Sequence, residues 1–257
     1  MLSAFIPAMR FWLFAFCLIS PALSALTAGP CWAQRPMSLE QVEEVVRSMQ
    51  KAHSAINDYV AVLHQRQRFG EELSPREKIL FKFKKPLSLY MKWLDGESKG
   101  REIIYVKGAN DGAMWIHNGS FPDITLCMSP ETCKQLSEGR HTVNEAGVGY
   151  IADMIANNVA LAKSRPLDKV SCWDYGESLM EGEPSRCLEM VMPPRKDSGY
   201  YGHRAYMCQS KRTGLLNRIT VWDFRKLLVE DFIFENIKVD VGLGKKDFDP
   251  DNPDYKF

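Results

Sequence analysis

The chain has 257 residues, and its 33 lysines and arginines stand against 32 aspartates and glutamates, a formal charge of +1. So even a balance, with no basic stripe, argues against nucleic acid as a partner. Beyond residue 33, no apolar run is long enough to cross a bilayer as a helix.

The first 33 residues stand apart. Arg10 precedes an apolar run over residues 11–19, and Cys31-Trp32-Ala33 places small residues just ahead of Gln34. This is the pattern of a secretory signal peptide cleaved after Ala33, which makes the remainder a soluble exported protein, periplasmic in a bacterium. Residues 34–257 then form a single domain. An oxidising compartment permits disulfides. Of seven cysteines, Cys17 and Cys31 fall in the leader, leaving Cys127, Cys133, Cys172, Cys187 and Cys208. Cys187 and Cys208 face each other if their segments pair as a hairpin, and Cys127 and Cys133 can close a small loop. With an odd number, at least one thiol has no partner in the chain. No spacing is CxxC, so redox catalysis and a zinc ribbon find little support.

Ser38, with Gln41 as its capping-box partner, opens the first element. Leu39, Val42, Val46, Met49, His53 and Ile56 recur at helical spacing and predict a helix over 39–55 with one apolar face. His53 on that face reads as a packed residue. Residues 59–69 form a strand. Residues 76–118 then hold four short segments separated by turns: Ile79, Phe81 and Phe83 alternate with Leu80, Lys82 and Lys84, and Leu87, Leu89, Met91 and Trp93 alternate with Ser88, Tyr90 and Lys92. A meander of antiparallel strands with one apolar face follows, and something must cover that face.

After Asn118-Gly119 the alternation stops, so residues 120–143 read as a long ordered loop with one helical turn near 131–137. The period turns helical over 144–164, where Val148, Ile151, Ile155, Val159 and Ala162 form a stripe, and Met154 and Leu161 extend it. A helix this apolar is enclosed by its protein. Strand patterns return at 170–179, 186–192, 203–209, 215–223 and 228–240. The ending, rich in aspartate and proline, reads as solvated. The fold class is therefore α+β: one strongly curved antiparallel sheet of about 10–11 strands, an incomplete β-barrel. An N-terminal helix and a central helical insertion cover its concave face.

Residues 83–93 (FKKPLSLYMKW), 100–112 (GREIIYVKGANDG), Arg140-His141 followed by Gly147-Val148-Gly149, and 248–255 (FDPDNPDY) occur in an order that resembles the DUF1571 family of exported bacterial proteins. The likeness covers roughly residues 57–257, with Thr142 standing where the family's Arg-His-Pro motif has proline. The name implies no activity. The order helix, strands, helices, strands is similar to the LolA and LolB lipoprotein carriers, RseB-type sensors and mycobacterial lipid-binding lipoproteins. That likeness implies a lipid held between an incomplete barrel and its helical lid.

The function expected is non-enzymatic binding of a lipid, lipoprotein or other apolar ligand in such a groove. Its wall would consist of Phe81, Phe83, Leu89, Met91, Trp93, Met114, Ile116 and Met190, with Leu188 and Met192 beside them. The same side chains would equally make a filled core. Arg140 and His141 are the polar pair to watch, since arginine holds carboxylates or phosphates and histidine moves a proton near neutral pH. The alternative is a scaffold or envelope sensor binding a protein partner through Tyr200-Tyr201 or the 120–143 loop. Nucleophile elbow, HExxH helix and phosphate-binding glycine loop are all missing, so an enzyme is not expected, nor a metal or cofactor.

Overall fold

A computed structural model describes residues 34–137 and 140–257. The leader expected over residues 1–33 lies outside the described residues. The elements in chain order are β1 (Arg35–Met37), α1 (Leu39–Ala55), β2 (Asp58–Phe69), β3 (Glu72–Leu73), β4 (Glu77–Lys84), β5 (Ser88–Trp93), β6 (Glu102–Val106), β7 (Met114–His117) and β8 (Thr125–Met128). Then come α2 (Pro130–Ser137), α3 (Val148–Ser164), β9 (Ser171–Met180), β10 (Glu183–Val191), β11 (Arg204–Ser210), β12 (Leu216–Trp222) and β13 (Leu228–Val239).

The thirteen strands make one sheet in the order β1-β9-β10-β11-β12-β13-β2-β4-β5-β6-β7-β8, with β3 folded onto β2. Every pairing is antiparallel. The sheet is not closed, because β1 and β8 end the order without pairing to each other. The N-terminal and C-terminal halves of the chain meet where β2 pairs β13, Leu63 opposite Phe234. Register shifts interrupt the β9–β10, β11–β12, β12–β13 and β13–β2 ladders. Bulges of this kind bend a strand and increase its twist, which curves the sheet around its cover.

The helices follow from their sequences. Ser38 Oγ accepts the Gln41 N–H at 3.3 Å while Gln41 Oε1 accepts the Ser38 N–H at 2.9 Å, the reciprocal cap that starts α1. At its other end, Lys85 Nζ donates to the carbonyls of His53 and Ser54 at 2.6 and 3.0 Å. Val42, Val45, Val46 and Met49 of α1 and Val148, Ile151, Ile155 and Val159 of α3 are buried in the same core as the strands' inward residues. Gly149 permits the close approach of the two helices: a methyl group there would fall 2.2 Å from the His53 ring. His53 is therefore a packing residue, and burial pushes its imidazole below the ordinary value.

Four expectations need correction. The sheet has more strands than sequence patterning suggests, because β1, β3 and β8 are too short to show a period. Residues 120–143 contain β8 as well as the helical turn, which extends to the whole of α2. The polar ending is not a free solvated tail: Asp249, Asp251 and Asp254 face water, but its apolar side chains are docked. Its residues Leu243 and Phe248 are buried against Tyr90 and Ile104, with Tyr255 and Phe257 packed alongside, in a second cluster on the convex face. Tyr90 and Tyr255 stack with centroids 4.0 Å apart, and Lys82 Nζ donates to Asp247 and to Tyr255 Oη, each at 3.0 Å. Finally, Cys187 and Cys208 form the disulfide that joins β10 to β11, but Cys127 and Cys133 are free. Cys127 is fixed opposite Trp115 in the β7–β8 ladder and faces solvent, whereas Cys133 sits on α2 and looks into the interior. Strand and helix point the two thiols in different directions.

Candidate functional site

Between the concave face of the sheet and its helical cover lies a cavity of about 250 Å³. Its floor is built by the period-two rule, which sends every second side chain of a strand inward. Strand β2 contributes Leu63, Gln65, Gln67 and Phe69. Strands β4 and β5 contribute Phe81, Met91 and Trp93, and Ile103 of β6 follows, opposite Met91. Phe232 and Phe234 of β13 complete the floor. The roof is Tyr150, Ile151 and Met154 of α3, Cys133 and Ser137 of α2, and the segment 141–147 between them. Gly147, at φ +98°, lies in that segment, where a side chain would meet Tyr59 Oη at 2.9 Å. The bare backbone there lets Val148 N–H donate to Tyr59 Oη at 3.1 Å, fixing the start of α3.

One side of the cavity is polar. Glu230, on β13, is almost wholly buried. Its Oε1 accepts from Arg140 Nε at 3.1 Å, lies 3.1 Å from His141 Nε2, and accepts the Tyr201 hydroxyl proton in a short contact. Arg140 Nε and His141 Nε2 also reach the Tyr201 oxygen, at 3.0 and 2.7 Å. The other ring nitrogen of His141 lies 3.1 Å from Glu145 Oε2, which also accepts the Thr142 N–H at 3.0 Å. Proline at 142 could not make that last bond. Burial opposes the imidazolium of His141, but the hydrogen bonds and charges of Glu230 and Glu145 outweigh it and hold the ring above its ordinary value. Burial likewise disfavours the Glu230 carboxylate, and His141, Tyr201 and Arg140 together bring it below the ordinary range. This network ties the cover to β13 and to the 199–203 turn.

The sequence-based wall residues divide. Phe81, Met91, Trp93 and His141 line the cavity. Phe83, Leu89, Met114, Leu188, Met190 and Met192 are buried in the filled core, and Ile116 packs half-buried against it. Arg140 stands behind the wall, spoken for by Glu230 and Tyr201. Tyr200 and Tyr201 make no exposed patch: Tyr200 is buried with its hydroxyl on Asp168, and Tyr201 is inside the network. Sequence reasoning missed Glu230, Phe232, Phe234 and Arg101. Arg101 had a signal, because it shares the period-two positions of Ile103 and Tyr105 and lies across from Trp93 in the β5–β6 hairpin.

A larger hollow of about 560 Å³ lies on the convex face, lined by Lys82, Lys92 and Lys246 and by Asp247, Asp249, Asp251 and Asp254. Lys82 pairs with Asp247 of the ending, and Lys92 with Glu102. Among the described residues, no group of three or more histidine, cysteine, aspartate or glutamate side chains is placed to hold a metal, and no helix is long and apolar enough to cross a membrane.

No curated protein matches the chain significantly. Among solved structures, it is similar to a putative outer membrane lipoprotein-sorting protein domain from Vibrio parahaemolyticus, at 11% identity and a TM-score of 0.39, covering 82% of this chain and 97% of that one. It is similar to the Mycobacterium tuberculosis lipoprotein LppX at 10% identity and a TM-score of 0.49, covering 80% and 99%. Similarity to a chain of the Pseudomonas aeruginosa MucA/MucB complex is 13% identity with a TM-score of 0.45, covering 81% of this chain and 60% of that one. The family model described as protein of unknown function (DUF1571) matches residues 56–257, a span that takes in every lining residue of the cavity and the ending packed on the convex face. The chain belongs to the DUF1571 family.

Proposed function

We propose that this protein is an exported, non-enzymatic binder of an apolar ligand, and that the ligand is a single alkyl or acyl chain held between sheet and helices. The observation that carries this reading is the cavity itself: a well-packed interior leaves few voids larger than a water molecule, yet here about 250 Å³ remains, faced by Phe81, Trp93, Phe232, Phe234, Ile151 and Met154. The volume falls just under the roughly 300–1,000 Å³ of ordinary small-molecule sites. It suits one chain rather than a multi-chain lipid. Methionines at 91 and 154 can adjust to chains of different length. The disulfide Cys187–Cys208 supports the exported setting, since such bonds persist in oxidising compartments.

The test is displacement of a fluorescent acyl probe from the purified mature protein, with Met154→Trp as the control that fills the cavity. Saturable binding to the wild type and none to Met154→Trp, with folding intact by circular dichroism, is the expected result. Equal binding by both would locate the probe elsewhere and end the reading.

A second reading, a docking surface for a protein partner, has its own observation. Strand β8 is a free edge of the sheet, with Leu126 exposed on it and Phe121 and Ile124 exposed in the segment leading into it. An unpaired edge is a template for an added strand. Substituting Leu126→Lys would abolish such pairing and leave acyl binding unchanged.

A further inference from the structure

We infer that the cavity selects a ligand with an anionic head, and that Arg101 is the cation that receives it. This rests on the acyl-binding reading and names the class within it: a single-chain amphiphile ending in a carboxylate or phosphate. Four charged residues face the cavity, namely Arg101, His141, Glu145 and Glu230. Three of them are answered within the network already described, where Arg140 and His141 balance Glu145 and Glu230. Arg101 is the surplus charge. Among the described residues, its guanidinium forms no ion pair and donates no hydrogen bond to protein, although the side chain is half-buried. None of its nitrogens is sealed from solvent, so its donors are open to an incoming anion.

Its placement is not that of a loose surface side chain. Arg101 precedes β6, and its carbonyl accepts the Trp93 N–H at 2.9 Å, so the two residues sit side by side on the concave face. The guanidinium lies over the Trp93 ring, 5.7 Å from its centroid. Stacking of this kind holds the planar fork in place while its N–H donors remain available. The fork matches two oxygens of a carboxylate or phosphate in a bidentate pair. Its positive charge is felt inside the cavity: burial raises the Cys133 thiol, and Arg101 pulls it the other way. An alkyl chain lying along Phe81, Phe232 and Phe234 would therefore have its head beside Trp93, the only side of the wall with an unmatched charge among the described residues.

The experiment compares dodecanoate, dodecyl phosphate and uncharged dodecanol as competitors for the acyl probe, on the wild type and on Arg101→Gln and Arg101→Lys. A charge-assisted pair predicts that the anions displace the probe about tenfold or more better than the alcohol. Arg101→Gln should bring the anions down to the level of dodecanol without changing dodecanol itself, and Arg101→Lys should keep part of the preference. Comparison of the two anions identifies which head fits. If alcohol and anions compete equally on the wild type, or if Arg101→Gln retains the preference, this inference is wrong while acyl binding stands. If none of the three displaces the probe, the acyl-binding reading itself falls.

Discussion

The two faces of one sheet are finished differently. On the convex side, the ending packs on Tyr90 and Ile104: Phe248 is buried in their cluster, Tyr255 stacks on Tyr90, and the Lys82 ammonium sits 5.5 and 5.4 Å from the centroids of those two rings. Asp58 anchors the start of this segment by accepting the N–H groups of Val241 and Leu243 at 2.8 and 3.1 Å. On the concave side, two full helices and a longer connecting segment leave a hollow faced mainly by apolar side chains, whereas the hollows beside the convex ending are faced largely by lysine and aspartate. The apolar gap opens between α3 and the inward side chains of β2, β5 and β13. Burial alone therefore does not distinguish a wall residue from a core residue; what lies opposite it does.

Mutations can break this comparison, and the largest effect belongs to the convex face. Phe248→Ala removes a buried ring at the edge of a convex hollow, and should cost about 3 kcal/mol, the low end for deleting a core phenylalanine. Denaturant midpoints would measure it; a loss well under that would mean the ending is only loosely attached. Met154→Ala deletes side-chain atoms that already face the hollow, so its cost should be about 2 kcal/mol, the low end for such truncations. Equal losses at the two sites would mean that the concave cavity is closed in solution. Tyr255→Phe keeps the stack and loses only the hydroxyl that joins Lys82 to the Asp247 carbonyl. About 1 kcal/mol is expected there, the net worth of an ordinary hydrogen bond.

The smallest effect concerns the polar side of the cavity and depends on pH. His141 has its pKa raised in the folded protein, facing Glu230 on β13, Glu145 on its own segment, and Tyr201 and Arg140 beside it. Its contribution is complete below about pH 6.5, the unfolded histidine value. It is lost as the pH rises through the higher folded value. Glu230 acts in the opposite sense: its contribution is present above about pH 4.3, the ordinary glutamate value, and is lost as the pH falls through its lowered folded value. Amide exchange in residues 141–147 should therefore quicken between neutral and alkaline pH, relative to the convex ending. His141→Gln should remove that dependence; exchange that still follows pH in the variant would place the titrating group elsewhere.

The elements that sequence made legible are those whose physics is local. The Ser38–Gln41 cap, the helices at 39–55 and near 148–164, and the alternation through Phe81, Met91 and Trp93 each require only neighbours within a few residues. So does the pairing of Cys187 with Cys208, once two strands are joined by a hairpin. The family likeness, carried by motifs at 83–93, 100–112 and 248–255, was also visible there.

Which inward residues border empty space was decided by tertiary structure, because it depends on how far α3 stands from a sheet bent by bulges many residues away. Leu89 and Met91 are two residues apart on one strand face, yet one is enclosed and the other lines the cavity. The same holds for charge: Arg140 and Arg101 look alike in sequence, and only the folded chain brings Glu230 to the first and leaves the second free among the described residues. Periodicity belongs to the strand itself, whereas vacancy and unmatched charge are properties of what the rest of the fold places across from it.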